Sequence, residues 1–246
     1  ATELACGGLG GSMTITTAPP TWVRRNVEVA PSWTRMTMPS TFASTLWAVG
    51  VSGSIFHSPN SGGTWVSQGV GLTTQNLLAV DSVDTNGTLA GTLLFATGNA
   101  GTILKSTNGG SAWAADPDTG IVTVSLTGVS CRSSTSCNAV GLSGTILTFN
   151  GSNWVVTATG GTRTYRAITA YNSSGTNRAV VIGDSGVLHT LTGTAWTQRA
   201  DITAAVNFRG VAHKHDNLGL ILAVGSGGAL YKSTDHGATF TPRSSG

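Results

Sequence analysis

Charge is what this 246-residue chain has least of. Asp, Glu, Lys and Arg together make up 9% of it, against the roughly 25% usual in soluble domains. Its only glutamates are Glu3 and Glu28, and three lysines stand beside ten arginines. The net charge of +3 is therefore carried by arginine. Arg24 and Arg25 are adjacent and the rest are scattered. No basic run alternates with aromatics, which excludes a nucleic-acid interface of the usual kinds. No apolar run approaches the ~18 residues that a membrane-spanning helix needs. No signal peptide is visible, and a start at Ala1 suits a processed mature chain. The apolar content is ordinary and periodic, so low charge does not mean disorder. The surface is hydrated by Ser, Thr and Asn, as on a secreted or cell-surface β-protein, and weak charge repulsion permits dense self-association.

What the chain has in abundance is repetition, with 34 glycines as punctuation. Six anchor aromatics, Trp22, Trp65, Trp113, Trp154, Trp196 and Phe240, are separated by 43, 48, 41, 42 and 44 residues. Before each anchor stands a small-residue run closed by glycines: Ala5–Gly10, Ala48–Gly53, Ala96–Gly101, Ala139–Gly144, Val181–Gly186 and Ala223–Gly228. A repeat of this length, built from short strands, is the signature of a propeller blade. Each unit reads as four strands. The innermost are Trp33–Thr37, Leu77–Asp81, Leu126–Ser130, Tyr165–Thr169 and Phe208–Ala212. An apolar second strand ends in Gly, and Gly-x-x-Gly turns the chain, its glycines supplying the positive φ of a primed turn. The third strand follows, and the fourth opens at the anchor. One blade cannot bury both its faces, whereas stacked blades can. The expectation is an all-β, six-bladed β-propeller of four-stranded antiparallel blades, forming a single domain over residues 1–246.

Three units carry a sharper signature between their third and fourth strands. It runs through Ser58, Asn60, Gly62 and Trp65, again through Ser106, Asn108, Gly110 and Trp113, and again through Ser233, Asp235, Gly237 and Phe240. The Asp or Asn caps backbone N–H groups of its own turn, Gly takes the left-handed position, and the aromatic plugs the base of the blade. These segments resemble the Asp-box, or bacterial neuraminidase repeat, Ser-x-Asp-x-Gly-x-Thr-Trp. Together with the Ala-Val-Gly-x-x-Gly hairpin they look most like the propellers of the photosystem II stability and assembly factor family. They are similar, more distantly, to sialidases and the sortilin ectodomain. The resemblance covers nearly the whole chain and implies a fold rather than a function, because Asp-boxes sit on propellers of many functions. The units ending at Trp154 and Trp196 lack the box, and the first has Ala18-Pro19-Pro20 instead.

The first blade is expected to lack its innermost strand, since only four residues of this sequence precede Ala5 and only six follow Phe240. Two readings stand: a three-stranded blade or a shortened chain, and an open slot into which another chain donates a strand. Cys6 lies in this blade, as a buried small hydrophobe or an intermolecular bridge. Cys131 and Cys137 flank a five-residue loop between neighbouring strands. They are expected to form a disulfide, which favours an oxidising compartment, secreted, cell-surface or periplasmic. Asn86, Asn150 and Asn172 open Asn-x-Ser/Thr sequons that chance explains. Arg35, Arg166 and Arg209 recur near one end of inner strands, where they could meet a partner at one mouth of the channel.

No catalytic constellation can be assigned. Sialidases need an arginine triad, a Tyr–Glu nucleophile pair and an Asp acid. The tyrosines here, Tyr165, Tyr171 and Tyr231, have no assignable Glu, and Arg-Ile-Pro is absent. A glycosidase needs two carboxylates across one bond. Asp235 is spent in a turn, Asp116 and Asp118 form a turn, Asp184 lies in a hairpin, and Asp81 and Asp84 bracket a loop. His213 and His215 share a face but lack a third ligand for a metal. No metal and no cofactor are expected. The expected role is a non-catalytic, extracytoplasmic protein–protein interaction or assembly module: a self-associating surface or appendage component, or a periplasmic assembly factor. The alternative is a lectin-like propeller that stacks sugars on aromatics, and the third reading is a glycoside hydrolase.

Overall fold

The computed structural model describes residues 12–15, 23–26, 32–39, 44–84, 87–158, 161–199, 202, 205–214 and 219–243. The first inner-strand slot, Cys6, Trp22, Asn86 and His215 lie outside them. The chain falls into two compact units, Ala1–Thr123 and Val124–Gly246.

The first unit holds β1 (Ser12–Ile15) and β2 (Val23–Asn26), an antiparallel pair. It continues with β3 (Trp33–Thr37), β4 (Leu46–Gly50), β5 (Ile55–Ser58) and β6 (Val66–Gln68). Then come β7 (Leu77–Asp84), β8 (Thr92–Gly98), β9 (Ile103–Ser106) and β10 (Ala114–Ala115). The second unit holds β11 (Leu126–Ser133), β12 (Ser136–Gly141), β13 (Ile146–Phe149) and β14 (Trp154–Ala158). It adds β15 (Tyr165–Ser173), β16 (Thr176–Gly183), β17 (Leu188–Thr192) and β18 (Ala195–Gln198). It ends with β19 (Phe208–His213), β20 (Ile221–Gly225), β21 (Leu230–Ser233) and β22 (Thr241–Arg243). Among the described residues these make five four-stranded antiparallel meanders and the β1–β2 pair. Four of the inner strands, β7, β11, β15 and β19, run longer than their sequence suggests, while β3 has the expected bounds. Asp81 and Asp84 do not bracket a loop: both lie on β7, which stays paired out to Asp84 opposite Thr92.

In β4, β8, β12 and β16 the second strand reads as an unbroken apolar run because both its faces are covered, whereas in β20 Ile221 and Ala223 are buried and Leu222 and Val224 are exposed. In β16, Ala179 and Val181 pack with Val140, Ile146 and Ile168, while Val180 and Ile182 pack with Phe208, Ile221 and Ala223. The period of two thus sends alternate residues to two different cores. In the first unit Trp47, Val49 and Ile55 join Leu77, Leu94, Leu104 and Trp113. Each fully buried aliphatic side chain there contributes roughly 1.5–3 kcal/mol of transfer free energy.

The hairpin between second and third strands differs from the expected primed turn. Its first glycine is extended, with φ −162° at Gly98. Glycine is required there by a close approach, since a Cβ would run into the Asn76 carbonyl oxygen. The same clash recurs at Gly50, Gly141 and Gly183, against Ser32, Ser125 and Thr164. The positive φ falls instead on the middle residue, Ser52, Ala100, Ser143 or Ser185, and on the glycine after it.

Candidate binding site at the bulged strand ends

Every inner strand of the five meanders slips register one residue after its start. Tyr165 pairs with Gly183 and Ala167 with Ile182, so Arg166 has no partner across the strand. The same reading makes Thr34, Leu78, Thr127 and Arg209 the extra residues of the other strands. A bulge turns its side chain out of the regular alternation. Where the bulged residue is threonine, its hydroxyl ties two sheets together. Thr127 Oγ1 donates to the Tyr165 carbonyl at 2.7 Å, and Thr34 Oγ1 to the Leu77 carbonyl.

In the last two meanders the position is arginine, and both side chains turn to one carboxylate. Arg166 Nη2 and Nε lie 2.6 and 3.0 Å from Asp184 Oδ2, and Arg209 Nη1 lies 2.8 Å from Asp184 Oδ1. Asp184 opens the turn after β16, whose backbone fixes it: its N–H donates to the Thr164 carbonyl at 3.0 Å. The hydrogen bond from Arg166 is the largest influence holding its carboxyl below the ordinary range, with Arg209 adding to it against partial burial. The two arginine side chains remain 36% and 53% exposed while the carboxylate orients them. Arg35 is out of step with this pair. It stands opposite Val49, one residue past the bulge at Thr34, and lies in the other unit. The offset is already in the sequence, where Arg35 is the third residue of its strand and Arg166 and Arg209 are the second of theirs; what pairing adds is that the second position is the bulge.

The three Ser-x-Asn/Asp turns share one geometry. The buried Ser58, Ser106 and Ser233 hydroxyls accept from the N–H of Gly62, Gly110 and Gly237 at 2.8–2.9 Å. Each donates to the side chain of Asn60, Asn108 or Asp235 at 2.8–3.1 Å. That side chain in turn accepts from the N–H of Thr64, Ala112 or Thr239 at 2.7–2.9 Å. Hydrogen bonds to the charged form hold Asp235 below its ordinary range, outweighing desolvation, which is the largest single influence and acts the other way. Of the anchor aromatics, Trp113 and Trp154 are only 8% and 2% exposed, so neither offers a face to a sugar, while Trp65, Trp196 and Phe240 are partly exposed.

Cys131 and Cys137 are directly opposite on β11 and β12 and are joined by a disulfide. Between them Arg132 donates to Ser136 Oγ at 2.8 Å, and burial pushes its guanidinium down to about 10. His213 stacks on Tyr171 at 4.3 Å and meets Thr169 Oγ1 through Nδ1. Among the described residues no three His, Cys, Asp or Glu side chains gather as a metal would require, and no helix is long and apolar enough to cross a membrane.

The sheets, their order and their bulges define a β-propeller. Among solved structures the chain is similar to YCF48 bound to D1 peptide, at 15% identity and a TM-score of 0.64, over 91% of this chain and 71% of that one. It is similar to YCF48 from Cyanidioschyzon merolae at 17% identity and TM-score 0.58, over 86% and 72% of the two chains. It is also similar to the WD40 β-propeller domain of Doa1, at 12% identity and TM-score 0.58, over 85% and 67%. At these identities the likeness is one of fold. No family model and no curated protein matches the chain at the level of sequence.

Proposed function

We propose that this chain is a non-catalytic protein-interaction or assembly module acting outside the cytoplasm, as one propeller domain over residues 1–246. The observation that carries the reading is the Arg166–Asp184–Arg209 cluster. Two partly exposed arginines, steered by one carboxylate, present planar donors suited to acidic side chains or a peptide carboxylate. Arginine is also the cation most enriched at protein interfaces. The related fold of YCF48 has been captured with a peptide, which supports a protein partner. Three of the described carboxylates have structural work: Asp184 holds two arginines, Asp235 a turn, and Asp84 accepts from Gly87 N–H at 2.8 Å. This favours binding over catalysis. The Cys131–Cys137 bond supports an oxidising compartment. The three Ser-x-Asn/Asp turns are, on this reading, Asp-boxes that brace the blades.

The test is a salt titration with a glutamate-rich peptide as probe. Binding should weaken as salt rises and fall at least tenfold in the Arg166→Ala/Arg209→Ala variant, as expected for loss of charge-assisted hydrogen bonds. Arg35→Ala should leave it unchanged. Equal affinity of the double variant and the parent would sink the assignment.

A further inference from the structure

The repeats allow one socket to be compared with another. In the first unit Trp113 seats its ring against the preceding sheet, where Ile55 and Leu72 close around Gly69. Its indole Nε1 donates to Gln68 Oε1 at 3.3 Å, and Trp113 is 8% exposed. Gln68 stands opposite Ile55 in the β5–β6 pairing.

The second unit repeats the arrangement with four exchanges. Leu188 takes the place of Ile55, and opposite it stands Arg199, whose N–H donates to the Leu188 carbonyl at 3.0 Å. Arg199 therefore occupies the position of Gln68, Ile202 supplies the second aliphatic wall, and Phe240 replaces the indole. The ring is smaller and the glutamine acceptor has become a donor. A cavity of about 380 Å³ opens there, lined by Leu188, Arg199, Ile202, Ala238, Thr239 and Phe240. Arg199 Nε is held by Thr190 Oγ1 at 2.9 Å. Among the described residues no carboxylate meets its outer nitrogens.

We propose that this socket is a second binding site, specific for a planar aromatic group bearing a carboxylate. The sister socket is filled by the larger indole of Trp113, so the space left beside the smaller Phe240 ring, between aliphatic walls, suits a further planar group. The exchange of Gln68 for Arg199 indicates its polarity, because a guanidinium offers only donors and selects an anionic acceptor. Among the described lining residues Leu188, Ile202 and Phe240 are large apolar groups, and Arg199 is held by its neighbour Thr190. That composition is typical of small-molecule pockets. The site is separate from the Asp184 cluster and does not depend on it.

Indole-3-acetate is the probe, titrated into the full chain by calorimetry, with 3-methylindole as its neutral counterpart. The acid should bind at least tenfold more tightly than the neutral ring, the ratio expected when a charge-assisted hydrogen bond is made. Arg199→Gln, which restores the residue of the sister socket, should remove that preference while leaving the fold unchanged by circular dichroism. Phe240→Trp should fill the cavity and abolish binding of both probes. If Phe240→Trp disturbs folding, the Arg199→Gln comparison still decides. No saturable binding of the acid, or equal binding of acid and neutral ring, overturns the proposal. So does undiminished binding in a folded Phe240→Trp variant. Addition of N-acetyltryptophan separates sources: competition with indole-3-acetate extends the site to chain-terminal aromatic residues, and no competition with intact acid binding confines it to free aryl acids.

Discussion

At the scale of single residues, the clearest consequence concerns His57. Its ring stacks on Trp47 at 5.0 Å, and Nε2 is buried with no hydrogen-bond partner. Burial pushes its pKa below the ordinary 6.5. As pH falls, the unfolded chain therefore takes up the proton first, and stability drains away through the window beginning near 6.5. His236 is shifted the same way, by burial first and then by Arg178. Asp184 and Asp235 act lower: their pKa values are depressed, so their contribution is intact above about 4 and is lost only under stronger acid. The unfolding midpoint should fall between about pH 7 and about pH 5. His57→Phe keeps the stacked ring and removes the titration, so it should reduce that fall without abolishing it. Parallel profiles for variant and parent, by urea denaturation at both pH values, would show that His57 plays no part.

At the scale of elements, the turns between third and fourth strands are braced by one buried hydroxyl and one amide or carboxylate each. Ser233→Ala strands the buried Gly237 N–H and should cost about 1–3 kcal/mol, the penalty of an unsatisfied buried donor. Asp235→Ala loses bonds to Ser233, Thr239 N–H and Thr239 Oγ1 and should cost about 1–2 kcal/mol, like the loss of a helix cap. Denaturant midpoints at constant m-value check both. These turns were legible in the sequence because they are local: four residues contain all the partners. The strands and their order were legible for the same reason, from glycines and period-two alternation. Three features were not. The bulges depend on pairing with another strand, so the sequence showed Arg35, Arg166 and Arg209 only as near one another, and not that Arg166 and Arg209 occupy the bulge while Arg35 lies one step past it. Asp184 looked like hairpin filler, because its two arginines lie 18 and 25 residues away. The first hairpin glycine looked like a turn residue, when what demands it is a carbonyl from the start of the inner strand.

At the scale of the whole molecule, the proposed single domain makes a calorimetric prediction. Heating should give one cooperative transition whose calorimetric and van't Hoff enthalpies agree. Two resolved transitions would make Ala1–Thr123 and Val124–Gly246 separate folding units. Mass measured without reductant, beside electron microscopy of native material, separates a self-contained module from a self-associating one. Low charge also bears on handling: little electrostatic repulsion opposes crowding.

The five bulges carry a consequence for how such a chain can change. Thr34, Leu78, Thr127, Arg166 and Arg209 sit at one repeated address, outside the alternation that commits their neighbours to a core. Two of them spend that freedom as rivets between sheets, and two present charge to solvent. The address therefore behaves as a row of interchangeable fittings on a fixed chassis. Exchanging one fitting alters what the protein offers its surroundings while the packed residues beside it stay as they are.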